Sequence, residues 1–159
     1  MFPYEDDPVV ISVVKVGRKV HRVLIDQGSS SDVMFWETFT NLQISSDQLR
    51  PYDGCLVGFA RDQVEVRGYV ELRITFSYEN PATTITIKYI VVNISSAYYL
   101  LLGRPSLNRL GAVASTTHMK MKLPSSEGGI ITIKVDQKMA RKCYESNLKN
   151  HMGIYAVTI

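Results

Sequence analysis

The chain has 159 residues, a formal net charge of +3, 45% hydrophobic residues and 21% charged residues. Such a length and composition are typical of one globular domain with a core of its own. The basic residues are dispersed and no apolar run approaches the length of a membrane span, so we expect neither nucleic-acid nor membrane binding. The two cysteines, Cys55 and Cys143, lack metal-site or redox spacing. We therefore expect a cytoplasmic protein.

The first half of the chain predicts strands around one helix. β-Branched residues dominate positions 8–16, and a turn at Gly17-Arg18 leads into a second predicted strand over 19–26. An apolar stripe after a serine-rich loop predicts a helix over residues 32–42. From 64 to 76 apolar and polar residues alternate, as in a half-buried antiparallel strand, and Gly68 within this run predicts a bend or bulge.

The second half continues with strands and two more helices. Residues 83–93 are a β-branched run, and residues 100–102 predict a short buried strand. Pro105 suits the first turn of a helix that ends near Gly111. The expected remainder is a β-hairpin over residues 119–123 and 130–135 and a helix over 137–148.

These elements predict an all-β protein, mainly β with three short helices. We divide the chain into an N-terminal extension (1–7), a main domain (8–117), a C-terminal hairpin (118–135) and a C-terminal helix with its tail (136–159).

The most informative segment places an acid directly after three aliphatic residues. Its sequence is Val23-Leu24-Ile25-Asp26-Gln27-Gly28-Ser29-Ser30. Burial raises the pKa of a carboxyl group, whereas hydrogen bonds from a hydroxyl or a backbone N–H lower it. Asp26 is therefore a candidate for acid/base chemistry. A weak echo of the segment occurs later in the chain, as Leu100-Leu101-Leu102-Gly103-Arg104-Pro105.

Together the two segments resemble the half-motifs of the aspartic proteases. Further phrases are similar to the retropepsin-like protease domain of plant gypsy-type long-terminal-repeat retrotransposons. They are Arg50-Pro51-Tyr52-Asp53-Gly54, Val64-Glu65-Val66-Arg67-Gly68 and Leu102-Gly103-Arg104-Pro105-Ser106-Leu107-Asn108. The resemblance covers most of the chain and implies the closed β-fold of that family.

This resemblance implies an aspartic endopeptidase that processes a Gag-Pol polyprotein as a homodimer. The chain contains only one Asp-x-Gly-Ser segment, so each subunit would supply Asp26 as its catalytic residue. By the family match, Ser29 would hydrogen-bond the Asp26 carboxylate and Gly28 would let the substrate approach. Leu102, Gly103 and Arg104 would support the structure and the dimer. The implied partners are a second copy of the chain and a polypeptide substrate, with no cofactor or metal.

The segment from 56 to 63 resembles the flap that closes over the substrate in this family. Its candidate substrate-binding residues are Val57, Gly58, Phe59 and Ala60, with Gly58 and Phe59 near the tip. A plain solvent-exposed turn at residues 60–63 is an equally acceptable interpretation.

Two positions depart from the family pattern. Gln27 stands where most aspartic proteases have a threonine or serine that braces the two active-site loops. Ser30 stands where viral relatives have an aspartate that pairs with the arginine of Gly-Arg, so Asp32 becomes an alternative partner for Arg104. Both departures bear on dimer strength and catalytic rate.

Three other interpretations accompany the protease hypothesis. The Asp26–Ser30 segment is also compatible with a simple turn before a capped helix. A catalytically weakened dimerisation or peptide-binding module would share the fold. A small basic domain that binds nucleic acid rests only on the sequence pI of about 8.8.

Overall fold

The computed structural model describes residues 8–54, 56–57, 63–77, 81–115 and 118–149. Within these ranges the chain forms mostly β-structure with three short α-helices. The strands are β1 Val9–Lys15, β2 Arg18–Ile25, β3 Val33–Phe35, β4 Leu56–Val57, β5 Gln63–Val64, β6 Val66–Phe76, β7 Thr83–Val92, β8 Leu100–Leu102, β9 Val113–Ser115, β10 Lys120–Pro124 and β11 Ile130–Lys134. The helices are α1 Trp36–Asn41, α2 Arg104–Leu110 and α3 Gln137–Lys149, with a short 3₁₀ helix at Ser46–Gln48.

Six of these strands form a closed barrel in the order β1-β2-β8-β3-β7-β6. The longest ladder is antiparallel and joins β6 to β7, and a contact between Val14 and Thr75 closes β6 onto β1. Strand β8 lies between β2, to which it is parallel, and β3, to which it is antiparallel. The predicted closed β-fold with three short helices is confirmed.

The central strands β2, β8 and β3 are buried on both faces where they pair, which explains their uninterrupted apolar sequences. Leu100 and Leu102 belong to a core cluster with Val23, whereas Leu101 belongs to a second cluster with Leu24. All three residues of β8 are fully buried. The ends of these strands are therefore held firmly from both sides.

The bulge predicted at Gly68 is present. The register between β6 and β7 shifts between Val66 and Gly68, and Gly68 has a φ of 143°. Arg50 and Tyr69 exchange two backbone hydrogen bonds of 2.8 Å beside it. A Cβ atom at Gly68 would collide with the Arg50 carbonyl oxygen, so glycine is required there.

The predicted helix over residues 32–42 is wrong in its first part. Val33–Phe35 is strand β3, which pairs with both β7 and β8, and helix α1 begins only at Trp36. Pairing on both edges satisfies the backbone of this segment and overrides its helical spacing. Phe39 is buried, and its ring stacks on that of Trp36 at 5.1 Å.

The C-terminal hairpin and helix are confirmed, and β9 adds an unpredicted third strand beside β10. Side chains of the hairpin, including Met121 and Ile131, join the core cluster of the barrel. Helix α3 packs on the barrel through buried Ala140 and Cys143, and the Asp136 N–H donates to the Val10 carbonyl at 2.7 Å. Across the described ranges, no helix has the length and apolar character needed to cross a membrane.

Candidate active site

Asp26 lies directly after β2, at the point where β2 and β8 run side by side. Ile25 pairs with Leu102 in this parallel ladder. The Asp26 N–H then donates to the Leu102 carbonyl at 2.9 Å. The fold thus brings together the two segments that the sequence singled out.

The two carboxylate oxygens of Asp26 have different surroundings. Oδ1 accepts a 2.9 Å hydrogen bond from the Gly28 N–H. Oδ2 is buried and has no hydrogen-bond partner among the residues that the structure describes. Burial raises the pKa of Asp26, and the backbone N–H groups of Gly28 and Ser29 oppose that rise. This carboxyl group therefore keeps its proton at a higher pH than an ordinary aspartate does.

The residues after Asp26 leave the carboxyl group accessible. Gln27 and Gly28 are exposed, and Ser30 is half-buried. A Cβ atom at Gly28 would lie 3.3 Å from Asp26 Oδ1. Glycine at this position therefore leaves room directly beside Oδ1 of Asp26.

Ser29 bonds differently from the sequence-based expectation. Its side chain is fully buried, and its hydroxyl donates to the Ser31 carbonyl at 2.7 Å. A hydroxyl has only one proton to donate, so this bond takes the place of the expected hydroxyl bond to Asp26. Ser29 acts on Asp26 through its backbone N–H instead, which lowers the pKa of the carboxyl group.

Leu102, Gly103 and Arg104, the residues proposed to support the structure and the dimer, lie against the Asp26 loop. A Cβ atom at Gly103 would lie 2.8 Å from the Ser29 carbonyl oxygen and would also collide with the Ser31 carbonyl oxygen. The Arg104 N–H donates to the Ser29 carbonyl at 2.9 Å, while the Arg104 side chain is exposed. The second segment therefore supports the loop mainly through its backbone.

Asp32 is the second carboxylate of the site and, unlike half-buried Asp26, is buried. It is 5% exposed and accepts hydrogen bonds from the Gly103 N–H at 2.8 Å and the Ser106 hydroxyl at 2.7 Å. The alternative pairing of Arg104 with Asp32 is therefore wrong. Burial raises the pKa of Asp32, against the opposing effects of these donors and of the Arg109 charge.

Sequence reasoning missed Ser106. A signal was available, because a hydroxyl in the first turn of a helix often bonds a nearby polar group. Ser106 stands in the first turn of α2, three residues after Gly103. Its partner comes from a distant part of the chain, which the sequence alone did not indicate.

The base of the proposed flap is described, but its tip is not. Leu56 pairs with Val64 and Val57 pairs with Gln63, which makes β4 and β5 an antiparallel pair. The candidate residues Gly58, Phe59 and Ala60 lie outside the described residues. Their role in substrate binding stays a prediction.

The arrangement offers one carboxyl group that can hold or release a proton beside an open loop. Hydrolysis of an amide needs both a general base for water and a general acid for the carbonyl oxygen. In the described ranges, His, Cys, Asp and Glu side chains do not gather in threes as a metal site would require. The Asp32 carboxylate is already bonded to Gly103 and Ser106, so among the described residues of this site Asp26 is the carboxyl group available for such proton exchange.

A closed β-barrel that presents an aspartate where two parallel strands end defines a protein with the retropepsin-like fold. The chain is similar in structure to the retroviral protease-like domain of Ddi1 from Leishmania major, with a TM-score of 0.55 and 13% identity over 80% of this chain and 92% of that one. It also matches EIAV protease complexed with the inhibitor HBY-793, with a TM-score of 0.49 and 22% identity over 72% and 98% of the respective chains. No family model and no curated protein matches the sequence.

At this level of identity the first comparison establishes the fold and leaves the chemistry to be argued from the site. The predicted retropepsin-like fold is confirmed. The origin in a plant retrotransposon stays a prediction.

Proposed function

We propose that this protein is an aspartic endopeptidase that works as a homodimer, with Asp26 of each subunit as the catalytic residue. The observation that carries the proposal is the burial and hydrogen bonding of the Asp26 carboxyl group. It is half-buried, held through Oδ1 by Gly28, and has a buried Oδ2 without a partner in the described part of the chain. A two-fold axis near this point would supply the second carboxyl group, because it places each residue close to its own copy.

In the proposed reaction the two Asp26 carboxyl groups share one proton, since two adjacent carboxylates cannot both ionise cheaply. The ionised group takes a proton from a water molecule, and the water oxygen bonds to the peptide carbonyl carbon. The protonated group donates its proton to the carbonyl oxygen. The carboxyl group that took the water proton then passes it to the amide nitrogen. As the C–N bond breaks, a hydroxyl of the tetrahedral intermediate gives its proton to the other carboxylate, and the pair again holds one proton.

The surroundings of Asp26 suit this exchange of protons. Its pKa is raised by burial, which favours the protonated state needed by one member of the pair. Exposed Gly28 leaves space for an extended polypeptide beside the carboxyl groups. The β4–β5 pair would carry a flap that excludes water from the bound substrate.

The substrate and cellular setting depend on the sequence resemblance alone. We propose that the enzyme cuts the Gag-Pol polyprotein of a plant gypsy-type retrotransposon, inside the cell and in retrotransposon particles. An intact precursor that carries this chain, expressed with and without Asp26→Asn, tests the substrate. Processing should occur only with the intact Asp26.

Peptide cleavage by the purified chain is the direct test of the activity. A fluorogenic peptide library at mildly acidic pH should give turnover that pepstatin blocks. Asp26→Asn should lower kcat by about 10³-fold or more, because it removes both proton-transfer groups of the pair. The matched control is Asp47→Asn, an exposed aspartate in the 3₁₀ helix, which should cleave like the wild type. Full activity of the Asp26→Asn protein would refute the proposal.

The oligomeric state is the second half of this test. Sedimentation should show a dimer, and turnover should fall as dilution separates the subunits. A dimer that binds peptides without cleaving them would point to the binding module. Gln27→Thr separates the two outcomes, because a gain of cleavage would identify an enzyme that Gln27 attenuates.

A further inference from the structure

We propose that Asp32 and Ser106 form a buried link that positions the Asp26 carboxyl group for catalysis. The inference rests on the proposed protease activity and adds two positioning residues to it. Neither side chain touches the reacting atoms; the link acts through the backbone that holds Asp26.

This link connects the segment that carries Asp26 to helix α2, which follows strand β8. Asp32 and Ser106 are 74 residues apart, and their side chains form a buried hydrogen bond of 2.7 Å. Asp32 also accepts the Gly103 N–H at 2.8 Å, so one carboxylate holds the start of helix α2 at two points. Both side chains are at most 5% exposed. Water cannot easily replace these bonds, which makes the geometry stiff.

Backbone hydrogen bonds connect the neighbours of Gly103 to the Asp26 loop. The carbonyl of the preceding residue, Leu102, accepts the Asp26 N–H at 2.9 Å. On the other side, the Arg104 N–H donates to the Ser29 carbonyl at 2.9 Å. The Asp26 loop is therefore bonded on both sides of the residue that Asp32 holds. A shift of Gly103 would move the loop with it.

The charged and titratable groups around Asp32 are compatible with an ionised Asp32 carboxylate that accepts these hydrogen bonds. Arg109, on the same helix as Ser106, contributes a positive charge that lowers the pKa of Asp32. Tyr89, on β7, is fully buried, and the Asp32 charge helps to raise its pKa. Burial nevertheless raises the pKa of Asp32 above the ordinary value. A neutral side chain of the same shape would avoid this cost of burial.

The isosteric change Asp32→Asn separates shape from charge. The asparagine oxygen can still accept the Gly103 N–H, and its NH₂ group can donate to the Ser106 hydroxyl, which accepts as well as donates. The change Asp32→Ala removes both bonds. A positioning role predicts that Ala damages catalysis and that Asn largely restores it.

The kinetic test compares kcat and KM among these variants in the full chain. Asp32→Ala should lower kcat by about 100-fold with a much smaller change in KM, because small displacements of a catalytic group are costly. Asp32→Asn should recover kcat to within about 10-fold of the wild type. The control for an acid-to-alanine change is Asp47→Ala, an exposed side chain in the 3₁₀ helix Ser46–Gln48.

Ser106→Ala keeps the test valid if Asp32→Ala does not fold. It removes one donor and leaves the Gly103 bond in place, so a drop in kcat of about 10-fold is expected. The proposal is overturned if Ser106→Ala and a folded Asp32→Ala both keep the wild-type kcat. It is equally overturned if Asp32→Asn is as inactive as Asp32→Ala.

A titration separates failure of this link from failure of the protease proposal. The ¹³C shift of the Asp26 carboxyl group reports its pKa whether or not the protein cleaves peptides. In Asp32→Ala a looser loop should hydrate Asp26 and bring its pKa toward the ordinary value, whereas Asp32→Asn should keep it raised. If the wild type does not cleave peptides but the two variants show this titration pattern, the protease proposal is refuted and the positioning role of the link stands. An unchanged titration in Asp32→Ala would refute the link.

Discussion

The two segments that meet at the candidate active site share a strand geometry, but the chain continues differently after each strand. Val23–Ile25 and Leu100–Leu102 pair residue by residue in a parallel ladder buried on both faces. After the first strand the chain is open and polar and carries Asp26. After the second it continues through buried Gly103 directly into α2. One segment presents the chemical group, and the other fixes where that group lies.

The two glycines of these segments test this difference, and Gly103→Ala should have the largest effect. Its Cβ atom would collide with backbone oxygens of Ser31 and Ser29 rather than with flexible side chains. The backbone must therefore move, and we expect a loss of about 3 kcal/mol in the free energy of unfolding, measured with urea.

Gly28→Ala is the matched change in the first segment. Its Cβ atom would meet only the Asp26 carboxylate, at 3.3 Å. We expect a loss of less than about 1 kcal/mol in stability, together with reduced turnover. Equal destabilisation by both substitutions would remove the distinction between the segments.

A smaller effect is expected at the first segment, in the way the free energy of unfolding depends on pH. Burial raises the pKa of Asp26 in the folded state above the ordinary value of 3.8. The folded protein therefore binds this proton more tightly than the unfolded chain, and ionisation of Asp26 costs stability above the raised pKa. Asp26→Asn should be more stable than the wild type at neutral pH, as measured by denaturant unfolding at one protein concentration.

This advantage of Asp26→Asn should shrink as the pH falls through the raised pKa and vanish below 3.8. Glu71→Gln, an exposed change on β6, serves as the control and should leave stability within about 0.5 kcal/mol at either pH. An advantage that grows toward low pH would contradict the assigned direction.

The smallest effect is expected next to Asp32. The Tyr89 hydroxyl is buried and has no hydrogen-bond partner in the described part of the chain. Because removing an unpaired buried polar group relieves its desolvation cost, Tyr89→Phe should leave stability unchanged or raise it by about 1 kcal/mol. Thermal unfolding measures this change, and a clear loss of stability would show that the hydroxyl is bonded.

The sequence predicted the elements whose signals are local. Continuous aliphatic runs marked β2 and β8, and alternation marked β6 with its bulge at Gly68. Pro105 and Gly111 marked the ends of α2, and Gly111 has the left-handed φ of 62° that such a helix end favours. Asp26 stood out because a charged residue interrupted a buried run.

The remaining features depend on contacts between distant residues. The sequence predicts a helix where strand β3 lies, because the pairing of β3 with β7 and β8 cannot be seen in its own residues. Strand β9 is three residues long and gave no pattern. The family resemblance predicts a bond from the Ser29 hydroxyl to Asp26 and offers Arg104 as a partner for Asp32. In the structure the Ser29 hydroxyl bonds Ser31, and Asp32 bonds Gly103 and Ser106.

The parallel pairing of β2 with β8 also determines when, during synthesis of the chain, the Asp26 site can form. Asp26 leaves a ribosome long before Leu102 does, and its N–H cannot find its acceptor until that later strand has emerged and docked. Closing so long a loop is entropically expensive and slow. A growing chain therefore cannot assemble the Asp26 site during most of its synthesis. In the proposed protease, this would delay cleavage until strand β8 has docked.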